Sequence, residues 1–315
     1  MPRKLSSPAR PFREAVGRPL RTSVSLRRHS SFRIGGRADY FFCAGTAGEL
    51  KDCLRFARDK AIPHYVIGFG TNLLFDDSGF RGLIIKNEAK GIDLKPGESL
   101  VRVRSGTALT ELVEFSLEEG LAGLEFAAGI PGTVGGAVFG NAGAWGSSVG
   151  QRLLEAALLD ETGAEMKVGK DFFEFGYRQS VLKKRHLTVL EAVFELRRGD
   201  RRLIHERIQE NLAKRRAPCP SETMAYCGSF FKNPVLPDGT KLAAGRLLEK
   251  VGAKELRFGG AAVYAGHANF IVNLGRATAS DVLGLAREMK ARVEREFGIV
   301  LEEEVMFLEA TASML

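Results

Sequence analysis

Between Gly129 and Gly146 the chain reads GIPGTVGGAVFGNAGAWG, seven glycines in eighteen residues with no charged side chain. Each glycine in a helix interior costs about 1 kcal/mol relative to alanine, so this composition argues against a stable helix interior. The run is nevertheless too apolar for a solvated loop. Such a stretch builds little core of its own and lets backbone amides approach a bulky anionic ligand. The same residues would also suit a buried, glycine-rich crossover. A P-loop is excluded, because no Gly-Lys-Ser/Thr follows.

The surrounding pattern is that of a mixed α/β chain. Ala38–Ala44 reads as a strand and Thr46–Lys60 as a helix, with Thr46 and Glu49 in capping-box spacing and Leu50, Cys53, Leu54 and Ala57 on one apolar face. Short apolar strands follow at His64–Ile67 and Gly82–Lys86, a strand–helix–strand opening that indicates an α/β layer. Val101–Arg104 reads as a strand and Thr107–Glu119 as an amphipathic helix that Gly120 terminates. Beyond the glycine-rich run come strands at Leu153–Leu159 and Leu187–Leu196 and a helix, Arg201–Arg216. Ala217-Pro218-Cys219-Pro220 marks a domain boundary. The last third offers a helix at Lys241–Val251, a strand at Ala268–Asn273, a long helix at Ser280–Phe297 ended by Gly298, and a final strand at Ile299–Leu308. No repeat of 20–50 residues is visible.

At 315 residues the chain can bury a sizeable core in two or three domains. The net charge of +8 suggests nucleic acid until it is located. Residues 1–28 hold eight basic side chains and one acid, and the rest holds 38 basic and 37 acidic groups. The charge therefore belongs to a tail, and no nucleic-acid partner is expected. Its Ser and Pro content favours a disordered, solvated arm, and its composition also overlaps that of an organelle transit peptide. No apolar run approaches a membrane span, so neither membrane insertion nor export is expected. Four cysteines without CxxC pairing read as reduced thiols of a cytoplasmic protein, with no metal site.

Four further segments carry candidate chemistry. In GFGTNLLFDD (Gly68–Asp77), Gly68 and Gly70 permit close backbone approach to phosphate oxygens, although a tight turn between strands would use the same residues. In FFEFGYRQSVLK (Phe172–Lys183), Arg178 lies among aromatics, either snorkelling outward or fixed on an acidic ligand. In YCGSFFKNP (Tyr226–Pro234), Ser229 can deliver a proton if its site is dry, or simply serve a turn. In the final strand, period-two alternation sets Glu302 and Glu304 on one face and Glu303 on the other, leaving at least one carboxylate beside apolar neighbours. Consecutive acids also protect an exposed edge strand.

Together, and in order, GFGTNLLFDD, AGIPGTVGGAVFGNAGAWG, YRQS, GSFFKNP, HANFIVN and LEEEV resemble the UDP-N-acetylenolpyruvoylglucosamine reductase (MurB) family over about residues 31–308. The resemblance implies an α+β chain with the two-part FAD-binding module of vanillyl-alcohol-oxidase (PCMH) type and a C-terminal α+β substrate-binding domain. The expected divisions are a basic tail (1–29), FAD-binding subdomains at 30–87 and 88–216, and a substrate-binding domain at 217–315. The implied reaction is NADPH-dependent reduction of UDP-N-acetylglucosamine enolpyruvate to UDP-N-acetylmuramate in peptidoglycan precursor synthesis, by a monomer. Arg178, Ser229 and Glu304 match the catalytic positions. Gly68, Gly70, Thr71, Asn72, Gly129, Gly132, Thr133, Gly135, Gly136, Asn141, Ala142 and Gly143 are expected at FAD, and Lys232, Asn233 and Asn269 at the substrate. No histidine lies in the glycine-rich segments, so the flavin is expected to be held non-covalently. APCPSETMAYCGS departs from the family's usual KQPxxxPSAGS spacing, and Trp145 stands where tyrosine is frequent. Too few residues separate Val181 from Glu210 for the extra substrate lid of one subclass, which points to the lidless (type II) form. The rival is an oxidase of another sugar or hydroxy acid on the same flavin-binding fold.

Overall fold

A computed structural model describes residues 8–94, 97–160, 162–185, 187–217, 219–221 and 223–311. Chain alternation first builds a mixed sheet in the order β1–β2–β5–β3, from β1 (Arg21–Ser25), β2 (Arg37–Ala44), β3 (His64–Ile67) and β5 (Phe80–Asn87). β2 and β3 lie parallel to β5, and β1 runs antiparallel along β2. Helix α2 (Ala47–Asp59) covers this sheet with Leu50, Cys53, Leu54 and Ala57 buried, the apolar face its periodicity predicts. Thr46 Oγ1 accepts from the Glu49 amide at 3.1 Å. The reciprocal half of the capping box is missing, because the Glu49 carboxylate accepts from the Gly45 amide and pairs with Arg18.

A second, antiparallel sheet follows in the order β9–β8–β10–β7–β6: β6 (Ile92–Leu94), β7 (Leu100–Arg104), β8 (Leu153–Leu159), β9 (Glu165–Gly169) and β10 (Thr188–Glu195). Its core joins Val101 and Val103 to Leu109 and Leu112 of α3 (Leu109–Glu118) and to Ile204 and Ile208 of α5 (Arg201–Arg216). The C-terminal sheet, β11 (Ala225–Tyr226), β14 (Ile271–Asn273), β13 (Ala261–Val263) and β12 (Arg257–Phe258) in that order, carries α6 (Ala244–Lys250) and α7 (Ala279–Phe297). Val282, Leu285, Met289 and Val293 of α7 share a core with Phe230 and Phe231, and with Phe32, Ile34 and Leu74 from the N-terminal part. A three-residue parallel pair, β15 (Met306–Leu308) with β4 (Leu73–Phe75), ties the last strand to the first third of the chain.

Three expectations are corrected. Residues 8–29 are not a loose arm: α1 (Ala9–Val16) inserts a fully buried Phe12 edge-on between Phe42 and Phe56, and β1 extends the first sheet. Phe12, Val16 and Leu20 supply an apolar face that composition averaged over the tail conceals. Residues 1–7 of the expected tail, and Pro218 of the expected boundary, lie outside the described residues. The glycine-rich run does hold a helix, α4 (Val134–Gly140), because Thr133 caps it and Val134, Ala137 and Val138 pack into the second core. Finally, only Met306–Leu308 of the expected strand at 299–308 is extended in a ladder. Residues 302–305 form no strand ladder: their backbone meets the 230–232 segment through the isolated Glu303–Phe231 bridge and the flanking bonds of Glu302 and Glu304, so two-residue alternation does not assign their faces.

Candidate active site

Two turns face each other at the ends of β3 and before α4. Thr71 Oγ1 donates to the Pro131 carbonyl at 3.1 Å, and a Cβ on Gly68 would stand 2.5 Å from Thr133 Oγ1, so the segments meet with no room for a side chain. Among the described residues, the amides of Phe69, Gly70, Thr71 and Asn72, and those of Gly132 and Thr133, have no hydrogen-bond partner. The start of α4 differs. Val134 and Gly135 donate to the Thr107 and Ser105 carbonyls, each at 2.8 Å, and Gly136 donates to Thr133 Oγ1 at 3.2 Å. A dinucleotide's phosphates need unengaged donors on a backbone free of side chains. The facing turns meet that requirement and the first turn of α4 does not, so the residues fit FAD through Gly68–Asn72 and Gly132–Thr133.

Other glycine-rich positions serve the scaffold. Gly129 packs against α5, where a Cβ would meet Leu212 at 2.9 Å. Asn141, expected at the flavin, is buried, donates to the Gly176 carbonyl at 2.8 Å and accepts from the Gly150 amide at 2.9 Å. The Ala142 amide returns to the Ala137 carbonyl, and Gly143 pairs with Ser148. Asn141 therefore anchors the turn that carries Arg178.

That turn, Gly176–Gln179, closes through reciprocal backbone bonds of 3.1 and 3.2 Å, with Arg178 left-handed at φ +55°. Two further ties hold it: Ser180 Oγ donates to the Phe139 carbonyl at 2.6 Å, and Lys183 Nζ donates to the Arg178 carbonyl at 2.8 Å. The guanidinium does not snorkel outward. Arg178 Nε donates to Glu304 Oε1 at 2.5 Å, with the two side chains 25% and 19% exposed. The Arg178 guanidinium carbon lies 5.3 Å from the centroid of the Tyr177 ring, and Lys241 Nζ lies 3.1 Å from the same centroid. Burial pushes the Lys183 amine below its ordinary pKa, with Lys232 and Arg178 adding repulsion. Burial and Arg178 do the same to Lys241. Arg178 pairs with Glu304, whose charge also reaches Lys183 and Lys241, so cations outnumber carboxylates around Glu304, an arrangement suited to an anionic ligand.

Each carboxylate of 302–304 has a cationic partner. Glu302 pairs with Lys232 at 2.9 Å, Glu303 with Lys290 at 3.0 Å, and Glu304 with Arg178. The Lys232 ammonium holds the Glu302 carboxyl below its usual range.

Ser229 sits beside this pair through the backbone. Fully buried Phe230 and Phe231 anchor its segment, and the Phe230 carbonyl accepts from the Glu304 amide at 2.8 Å. The half-buried Ser229 hydroxyl bonds no described residue, leaving it open to a ligand. Asn269, expected at the substrate, is instead buried at 2% exposure. Its Oδ1 accepts from the Phe231 amide and its Nδ2 donates to the Phe231 carbonyl, both at 2.9 Å, so it positions the serine segment. Asn233 Oδ1 accepts from the Ala244 amide at the start of α6, and the Asn233 amide donates to Tyr177 Oη at 3.3 Å. Sequence reasoning overlooked Tyr177, Lys183 and Lys241. Lys183 follows Arg178 within one motif and could have been found; Lys241 had no signal, since only folding brings its hairpin to Tyr177.

Comparison with known proteins bears on both halves. Residues 38–169 match the FAD binding domain model, and residues 220–308 match the model of the UDP-N-acetylenolpyruvoylglucosamine reductase C-terminal domain. A UDP-N-acetylenolpyruvoylglucosamine reductase of Desulforamulus reducens is 40% identical over 289 residues, 92% of this chain and 93% of its own. UDP-N-acetylenolpyruvoylglucosamine reductase 2 of Symbiobacterium thermophilum is 41% identical over 286 residues, 91% of each chain. The crystal structure of the reductase from Thermus caldophilus superposes with a TM-score of 0.77 at 34% identity, covering 91% of this chain and 99% of that one. With its FAD-binding and reductase-specific parts both matched and relatives aligned nearly end to end, the chain belongs to the UDP-N-acetylenolpyruvoylglucosamine reductase family.

Proposed function

We propose that this protein reduces the enolpyruvyl ether of UDP-N-acetylglucosamine to UDP-N-acetylmuramate, a step of peptidoglycan precursor synthesis, with non-covalent FAD and NADPH. The observation that carries the reading is the Glu304 residue itself. Its carboxylate holds Arg178, and its amide bonds the residue next to Ser229. FAD, which the free amides of Phe69–Asn72, Gly132 and Thr133 would hold, would supply hydride drawn from NADPH to C3 of the enolpyruvyl group. Negative charge then builds on the conjugated carboxylate as an aci-carboxylate. Arg178, fixed by three ties to its turn and already paired in a partly dry site, meets that charge without reorganisation. Glu304 orients the guanidinium and shares its protons. Ser229 Oγ, which bonds no described residue, gives its proton to C2, a role worth about 10²–10⁴-fold in rate for a positioned donor.

The cations Lys183, Lys232 and Lys241 extend the positive field toward a substrate with a carboxylate and a diphosphate. Residues 181–210 are filled by a short 3-10 turn, β10, a strand pair at 197–198 and most of α5, which supports the lidless subclass. Subdomains at 30–87 and 88–216, a substrate-binding domain from 217, action as a monomer and a cytoplasmic location complete the proposal. The test is spectroscopic. The purified protein is expected to carry a flavin spectrum that NADPH bleaches and UDP-N-acetylglucosamine enolpyruvate restores under anaerobic conditions. Recovery by oxygen alone, with no response to the nucleotide sugar, contradicts the assignment.

A further inference from the structure

The Glu304 peptide is pinned from two sides. Its N–H donates to the Phe230 carbonyl at 2.8 Å, on the segment of Ser229. Its carbonyl accepts from Asn72 Nδ2 at 2.9 Å, across 232 residues of sequence. The Asn72 carbonyl in turn accepts from the Met306 amide at 3.1 Å, so a single asparagine grips the strand on both sides of Val305. Asn72 belongs to the turn whose free amides face the glycine-rich segment, and its neighbour Thr71 bonds Pro131 there. The motif places Asn72 among cofactor-binding residues; in the structure its side-chain amide donates away from that cradle, to the strand of Glu304.

We infer that Asn72 is a positioning residue for the Glu304–Arg178 pair and couples the cofactor turn to the acid–base machinery. The inference rests on the proposed reductase reaction. Loss of the clamp leaves the Glu304 carbonyl without its donor and frees the peptide to shift, while the backbone amides of Phe69–Asn72 remain. Misplacement of a catalytic group by about 1 Å can cost on the order of 100-fold in rate. The defect therefore falls on the half-reaction that uses Arg178 and Glu304, and not on flavin binding.

The test compares full-length wild type with Asn72→Leu, which is nearly isosteric but cannot donate. Three quantities are read: FAD affinity of the deflavinated protein by fluorescence quenching, flavin reduction by NADPH, and flavin reoxidation by UDP-N-acetylglucosamine enolpyruvate in anaerobic stopped flow. FAD affinity and reduction are expected to stay within about threefold, and reoxidation to fall about 10- to 100-fold. On a Glu304→Gln background the same substitution should cost less than about threefold, because residues acting as a unit are non-additive. A purely structural role would slow both half-reactions alike, or act fully on the Glu304→Gln background, and either result overturns the inference. So does loss of FAD affinity by about tenfold or more, which would return Asn72 to the cofactor. If Asn72→Leu does not fold, Asn72→Ala carries the same expectations. Wild type that fails to reoxidise with the nucleotide sugar would reject the reductase assignment, an outcome separate from any difference between variants.

Discussion

A left-handed arginine is a strained one, at a typical cost of about 1–3 kcal/mol, and Arg178 is kept there by side chains from Asn141, Ser180 and Lys183. Lys183 is the most informative of the three, because its amine is pushed down by burial and by Lys232 and Arg178. A cation with a depressed folded pKa binds fewer protons folded than unfolded, so stability rises with pH through the window below the ordinary lysine value. Lys183→Met removes that linkage. Its denaturation midpoint, relative to wild type, is expected to decline as pH rises toward the ordinary lysine value of about 10.5. Its reoxidation rate should also fall several-fold through loss of the Arg178 tie; a pH-independent stability difference would place the charge of Lys183 elsewhere. Sequence offered Arg178, Ser229 and Glu304 because each lies in a short motif, and the structure brings the three together through Glu304. It did not foresee that the side chains of Asn141 and Asn269 hold backbone groups, since an amide's partner decides its role and those partners lie 35 and 38 residues away.

At the level of elements, α4 shows what propensity alone misses. Seven residues with three glycines form a helix because Thr133 caps Gly136 and three apolar side chains enter the second core. Thr133→Ala is expected to lower stability by about 1 kcal/mol in chemical denaturation, with Thr133→Ser restoring most of it. No change would mean that packing alone holds α4. The long helices were legible because their apolar faces repeat over several turns, as Val282, Leu285, Met289 and Val293 do in α7. The segment at 299–305 was not, because alternation in sequence does not supply a neighbouring strand, and here the chain meets the 230–232 segment through an isolated bridge and a few single bonds before β15.

Across the whole molecule, the site forms where separate cores are sewn together. Phe32, Ile34 and Leu74 enter the C-terminal core, and the Asp77 carboxylate accepts from the Ala279 and Ser280 amides at 2.7 and 3.1 Å, capping α7 from the first third of the chain. The basic leader belongs to this architecture too. Phe12→Ala is expected to cost about 3 kcal/mol of stability by the usual scale for a buried phenylalanine, with both half-reactions unchanged. A change below about 0.5 kcal/mol, the level of surface substitutions, would show that α1 does not dock in solution. Average composition made this leader look disordered, because four apolar residues, Phe12, Val16, Leu20 and Leu26, were outweighed in the count by arginine, serine and proline. The central claim, that Ser229 protonates what the flavin reduces, is tested most directly by following both half-reactions of Ser229→Ala in anaerobic stopped flow. The predicted result is NADPH bleaching at the wild-type rate and reoxidation by UDP-N-acetylglucosamine enolpyruvate slowed by about 10²–10⁴-fold. Equal slowing of the two half-reactions, or reoxidation left intact, would contradict it.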